Sequence, residues 1–324
     1  MSEGRVWWRP PGSNSLYTIE PSESGTSCFR LEPFSSAICG SNSVELRGHV
    51  VQSAYPKVGT ISVNEEFKDI STSQHTHSHA VTKALKMIQF GELEKVVVSR
   101  VKSIAHQASP ESAFKSKCEA HPNAFVYLID HPTCGVWCGA TPELLVSVSD
   151  NRLETVSLAG TRTLDQIQIS PWTSKEYAEQ ELVTDYIKDI LKNQGATDLR
   201  IEPRDNMNYG KLVHLETRFH GTLKGNIERV AKNLHPTPAV GGRPLEKACG
   251  FINENEGFDR QYFTGYLGVE TATGGAYYVN LRCAKWLKGG INLYAGGGIV
   301  EGSIIQEEWN ETEAKICAIL DSIE

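Results

Sequence analysis

Short runs rich in β-branched and aromatic residues recur along most of this chain, and helix-period segments interrupt them without regular alternation. Lys95–Val101, Ala124–Ile129, Pro142–Val148, Tyr266–Val269, Ala276–Ala284 and Ile291–Tyr294 read as strands. Helical spacing runs over Ala80–Gly91, from Ser174 onward, and from about Glu307 to Ile323. In the second of these, Leu182, Val183, Ile187, Ile190 and Leu191 recur at helical spacing. A doubly wound sheet needs strands and helices in strict turn, so this mixture predicts an α+β fold. Before residue 75, Val6–Trp8, Ser27–Leu31 and Val58–Val63 stand among Ser, Gly and Pro and read as a strand-and-loop layer. No linker of that composition follows residue 80. Residues 1–324 are therefore expected to form a single domain, with 1–75 its least defined part.

The chain has 40% apolar and 22% charged residues, which suits a soluble protein with a buried core. Its longest apolar stretch, Ala124–Ile129, falls far short of the ~18 residues of a membrane span. Met1-Ser2-Glu3-Gly4 supplies neither a basic n-region nor an apolar h-region, so no signal peptide is expected. Eight cysteines without a CxxC pair read as buried free thiols of a reducing compartment, which makes a cytoplasmic location the expectation. A net charge of −7 offers no basic field to nucleic acid. An anionic substrate would need local cations, and these define where to look.

Glu176 and Glu179 open one predicted helix and Glu308 and Glu311 another, each pair three apart on one helix face. Such pairs could hold a hard cation such as Mg²⁺ through oxygen ligands; acidic first turns also simply suit a helix dipole. Ala295–Val300 (AGGGIV) reads as a loop whose glycines let backbone N–H groups approach a ligand, or as a tight strand connection. Leu158–Arg162 (LAGTR) reads as a second small-residue turn. Arg282, set among apolar neighbours in a strand, needs a partner, and a substrate carboxylate is one candidate. Lys315 follows Glu311 by four residues and can pair with it. Lys95 precedes Val96-Val97-Val98 in a strand expected to be buried on both faces, where desolvation suits a lysine to act as a base. Glu143 heads the apolar run PELLV, where burial suits a carboxyl to act as an acid. His75, His77 and His79 alternate, but read as a solvated loop rather than a metal cluster.

Taken in order, EKVVVSR (94–100), GATPELL (139–145), LAGTR (158–162), KEYAEQELV (175–183), HLET (214–217), LHPTPAVGG (234–242), YFTGYLGV (262–269), VNLRCA (279–284) and AGGGIVEGSIIQEEWNETEAK (295–315) resemble the chorismate-utilising enzyme family. That family includes isochorismate synthases, salicylate synthases and the large subunits of anthranilate and aminodeoxychorismate synthases. The resemblance runs from about residue 80 to Glu324 and implies large β-sheets in a sandwich-like core flanked by helices. It implies Mg²⁺ held by Glu179 and Glu311, with Glu176 and Glu308 supporting it, and a substrate pocket of Gly160, Thr161, His214, Ala239, Tyr262, Arg282, Gly296 and Lys315. Arg282 would bind the enolpyruvyl carboxylate of chorismate.

Members that use water as nucleophile resemble this chain in carrying lysine at Lys95, where amine-forming members typically have glutamine. Lys95 would activate water for attack at C2, and Glu143 would protonate the departing C4 hydroxyl. His235–Gly242 resembles the isochorismate synthases, so pyruvate elimination should be weak. The implied partners are chorismate and isochorismate, with no glutaminase subunit and a monomeric or homodimeric state. Salicylate synthase and a non-catalytic chorismate-binding protein are the alternatives. Gln180, where histidine is common, and Gly297, where alanine is usual, depart from the family pattern.

Overall fold

The computed structural model describes residues 4–35, 39–209 and 212–323; the Met1-Ser2-Glu3 start considered above lies outside them. The first third supplies β1 (Arg5–Arg9), β2 (Leu16–Pro21), β3 (Ser27–Glu32), β4 (Val44–Ser53), α1 (Gln74–Gln89) and β5 (Lys95–Ala105). Then come α2 (Pro110–Ala120), β6 (Phe125–His131), β7 (Gly135–Thr141), β8 (Leu144–Ser149), β9 (Arg152–Thr163), α3 (Leu164–Ile169) and α4 (Ser174–Asn193). The remainder holds β10 (Thr197–Ile201), β11 (Asp205–Tyr209), β12 (Leu212–Thr222), α5 (Ile227–Leu234), β13 (Gly242–Arg243) and α6 (Leu245–Asn255). It closes with β14 (Tyr266–Thr271), β15 (Gly274–Val279), β16 (Cys283–Leu287), β17 (Gly290–Ile299) and α7 (Ile305–Leu320).

Among the described residues the strands pair antiparallel in one path: β13-β5-β17-β16-β7-β6-β1-β2-β4-β3-β14-β15-β8-β9-β12, with β10 and β11 both on β12. The N-terminal strands are the middle of that path, since β1 pairs with β6 and β3 with β14. The path folds over on itself because alternate side chains feed two different cores. Phe125, Tyr127 and Ile129 of β6 point inward with Trp137, Tyr278 and Tyr294, while Val126 and Leu128 point outward against Phe114 and Ile316. Inside, aromatic rings pack together, as Phe125 of β6 stacks on Tyr278 of β15 at 4.5 Å and Trp137 of β7 on Tyr294 of β17 at 5.4 Å. Outside, α2 and α7 cover one part, α4 and α5 a second, and α1 and α6 a third. This is the sandwich-like α+β core that the resemblance implies. No described helix is long and apolar enough to cross a membrane.

Five local expectations give way to tertiary structure. Gly296–Gly298 form no loop; they continue β17, opposite Ser99, Val98 and Val97. Leu158–Arg162 lies within β9, where Gly160 (φ +71°) is bulged between the pairs His214–Thr161 and Leu215–Ala159. Ala276–Ala284 is two strands, not one: Arg282 takes φ +51° in the break between β15 and β16. The histidine run is helical because Ser73 caps α1 ahead of it, its side chain accepting from Thr76 N–H. His77 packs edge-on against Trp309, and Val58–Val63 forms no strand. Seven cysteines are buried or half-buried, Cys317 is exposed, and all eight are free.

Candidate active site

The inner ends of β5, β9 and β17 meet α4 and α7 around a concave cavity that mixes apolar walls with a few converging charged groups, as small-molecule sites do. Of the sequence-predicted residues, Glu143, Gly160, Thr161, Glu179, His214, Ala239, Arg282, Gly296, Glu311 and Lys315 line it. Val97, Val240, Thr264 and Gly298 line it too and were not singled out, though each stands in or beside a motif quoted above. Tyr262 does not line it. Its ring packs edge-on against Trp137 and its hydroxyl donates to the Asn42 carbonyl, so its neighbours Phe263 and Thr264 form the wall instead.

Lys95, at the start of β5, is fully buried. Its Nζ lies 2.8 Å from Glu179 Oε1, yet the ammonium makes no well-directed hydrogen bond. Gly298 makes this approach possible: a Cβ there would stand 2.1 Å from Glu179 Oε1 and 2.9 Å from Lys95 Cε. Glu143 lies just ahead of β8, its carbonyl accepting from Val279 N–H at 3.0 Å. Burial raises its carboxyl pKa to about 7, against the opposing pull of Lys95, Lys315 and Arg282.

Arg282 Nη2 lies 3.2 Å from His214 Nε2, and its guanidinium rests over the Tyr209 ring at 5.4 Å. A guanidinium can only donate, so Nε2 accepts and the imidazole proton sits on Nδ1, 3.1 Å from the Gly160 carbonyl. Burial and then the Arg282 charge hold the His214 pKa well below the ordinary histidine value, which fits this neutral tautomer. Arg282 makes no ion pair among the described residues. Its buried guanidinium faces the cavity, as a site for a carboxylate requires.

Each of the four predicted metal-side glutamates carries a cationic side chain. Glu179 has Lys95 (2.8 Å), Glu311 has Lys315 (2.6 Å), Glu308 has Lys175 (2.8 Å) and Glu176 has Arg162 (2.6 Å). The Lys175–Glu308 pair bridges α4 and α7, so the two acidic helices do meet. Glu176 also closes the N-terminal capping box of α4 with Thr173. No group of three or more His, Cys, Asp or Glu is assembled as a ligand set among the described residues.

The donor chemistry nonetheless fits a hard cation. Glu179 and Glu311 line the same cavity, and Glu311 with Glu308 and Glu176 lines an adjoining opening. Gly297 leaves space beside two of them, since a Cβ there would stand 3.1 Å from Glu308 Oε2 and 3.8 Å from Glu311 Oε1. Burial and then the Glu311 charge push the Glu308 carboxyl up to about 7, a repulsion that a bound cation would relieve. Gln180 is buried in its own network with Ser157, Thr217 and Arg204 and does not reach the cavity.

Residues 49–324 match the family profile described as chorismate binding enzyme. The chain belongs to that family. Within it, the isochorismate synthase EntC of Escherichia coli is 30% identical over 274 residues, 80% of this chain and 70% of that protein. The vibriobactin-specific isochorismate synthase of Vibrio cholerae is 32% identical over 264 residues, 77% of this chain and 67% of that one. Among solved structures, the menaquinone-specific isochorismate synthase MenF from Escherichia coli superposes with a TM-score of 0.82 at 19% identity, over 100% of this chain and 89% of that chain. Anthranilate synthase component I from Streptococcus pneumoniae gives 0.73 at 18%, over 98% and 92%. At those identities the structural likeness establishes the fold alone.

Proposed function

We propose that this chorismate-binding enzyme is a magnesium-dependent isochorismate synthase. The observation that carries the reading is a cavity lined by Glu143, Glu179 and Arg282, with Lys95 buried directly behind Glu179, in a chain whose relatives are named isochorismate synthases. Arg282 and Lys315 supply the local cations that a dianionic substrate needs in a protein of net charge −7. With its amine unprotonated, Lys95 takes a proton from water as the oxygen bonds to C2 of the ring. The double bonds shift, the C4–O bond breaks, and Glu143 gives its proton to the hydroxyl leaving C4. One water enters and one leaves, so the ring is isomerised without net hydration. Thr161 and the neutral His214 orient the ligand beside Arg282. Glu179 and Glu311 would hold Mg²⁺, with Glu308 and Glu176 behind them. When bound, the ion supplies a charge clamp for the ring carboxylate.

The test is to incubate purified protein with chorismate and Mg²⁺, with and without EDTA, and resolve the products chromatographically. A chorismate–isochorismate mixture without pyruvate, blocked by EDTA, is the expected result. Salicylate with pyruvate would instead identify a salicylate synthase, and no product in the absence of ammonia would return the amine-forming and non-catalytic readings.

A further inference from the structure

Arg260 stands outside the cavity, yet all five of its N–H groups are used, and three of its acceptors belong to the cavity wall. Nε and Nη2 grip both carboxylate oxygens of Glu256 at 2.7 and 2.5 Å. Nη2 also donates to the Val97 carbonyl at 2.9 Å, and Nη1 to the Val240 carbonyl at 2.8 Å and Thr264 Oγ1 at 3.1 Å. Val97, Val240 and Thr264 all line the cavity. Both side chains of the Arg260–Glu256 pair are 1% exposed, and the guanidinium lies over the Phe34 ring at 4.4 Å.

The reason for so costly a burial lies in β5. On one edge this strand pairs with β17 along its length. On the other, β13 covers only Lys95 and Val96, and Gly241 accepts from Val97 N–H before the ladder stops. The next two groups on that edge, the Val97 carbonyl and the Ser99 N–H, would be left unpaired in the core. Arg260 donates to the first and Glu256 Oε1 accepts from the second at 2.7 Å. The ion pair thus replaces a missing strand, one residue pair beyond Lys95, and fastens two other wall segments to the same point.

We propose that Arg260, with Glu256, is a positioning residue that fixes Lys95 and three walls of the cavity in register. The proposal rests on the isochorismate synthase reading. A bidentate fork with five directed donors is what the position demands, and a lysine cannot reproduce it. A buried charge left alone is also destabilising, so stability and positioning must be separated. Three variants do so: Arg260→Lys, Glu256→Gln, and the double variant Glu256→Gln/Arg260→Met, which removes both charges together.

Melting temperature and the kcat and KM for chorismate are measured for each, well below its melting transition. Arg260→Lys should lose tenfold or more in kcat. The double variant should recover much of the melting temperature while kcat stays depressed and KM raised. If kcat instead returns to the wild-type value along with stability, the pair only holds the fold and the proposal fails. Should Arg260→Lys not fold, the double variant decides alone. Wild-type protein that does not convert chorismate would overturn the functional reading and this inference with it; wild-type turnover with unaffected variants would overturn this inference only.

Discussion

At Glu143, burial keeps the carboxyl protonated up to about pH 7, which is what a general acid requires. Turnover should therefore fall as pH rises through that value. The same shift has a stability consequence of known sign. Between the ordinary carboxylate value of 4.5 and about 7 the folded state holds a proton that the unfolded chain has released, so stability falls as pH rises through that window. Glu143→Gln, which cannot ionise, should lose that portion of the pH slope in melting temperature and about a hundredfold or more in kcat. Comparison with wild type matters because Glu308 titrates near the same pH. An unchanged slope in Glu143→Gln would assign the window to Glu308. Lys95→Ala should abolish turnover while Mg²⁺-dependent chorismate binding, followed calorimetrically, persists; near-normal activity would remove Lys95 as the base. Both residues were legible in the sequence because each is a charged side chain inside a β-rich apolar run. Glu179 as the partner of Lys95 was not, since 84 positions separate them and no local period links them.

Among the elements, β17 shows how a tertiary demand can look like a local one. Three consecutive glycines read as a loop because glycine disfavours a strand interior. In the fold they pair with Ser99, Val98 and Val97, and each is small because something stands where its Cβ would be. The sequence displays the glycines but not the carboxylates that approach them. Gly298 and Gly297 should respond differently to the same change. Gly298→Ala puts a methyl between Lys95 and Glu179, so kcat should fall by about a hundredfold even where the ion pair yields and the fold survives. Gly297→Ala meets only the tip of Glu308 at 3.1 Å and should cost less than about tenfold. Equal losses would mean that the two faces of β17 are not distinct in function. Strands with continuous apolar runs, such as β5 and β6, and the long helices α4 and α7 were read correctly. β10 was missed because it is a short, largely exposed edge strand in which only Leu199 is half-buried. The break at Arg282 was missed because alternation continues through it, and nothing in VNLRCA signals a left-handed residue.

Across the whole molecule, one folded sheet brings together two helices whose first residues lie 131 positions apart, α4 at Ser174 and α7 at Ile305. The duplicated glutamate pairs hinted at a shared task, but only the sheet path shows that the helices meet. With each glutamate holding its own cationic side chain, the metal-free protein keeps local charge balance across the site. A divalent cation must therefore compete with lysine at Glu179 and Glu311, which predicts measurable but not extreme affinity. The cation should bind the folded state alone, because the unfolded chain does not hold α4 near α7. At a hundredfold excess over Kd that linkage is worth about 2.7 kcal/mol, and the melting temperature should rise by roughly 3–6 °C. Glu311→Gln should abolish most of that rise and lower activity in parallel, whereas the metal-free melting temperature should move little, because Glu311 is partly exposed. A scanning-fluorimetry titration of both proteins with Mg²⁺ decides the matter. If Glu311→Gln retains the full rise, the ion binds elsewhere, and the convergence of the two acidic helices serves the fold alone.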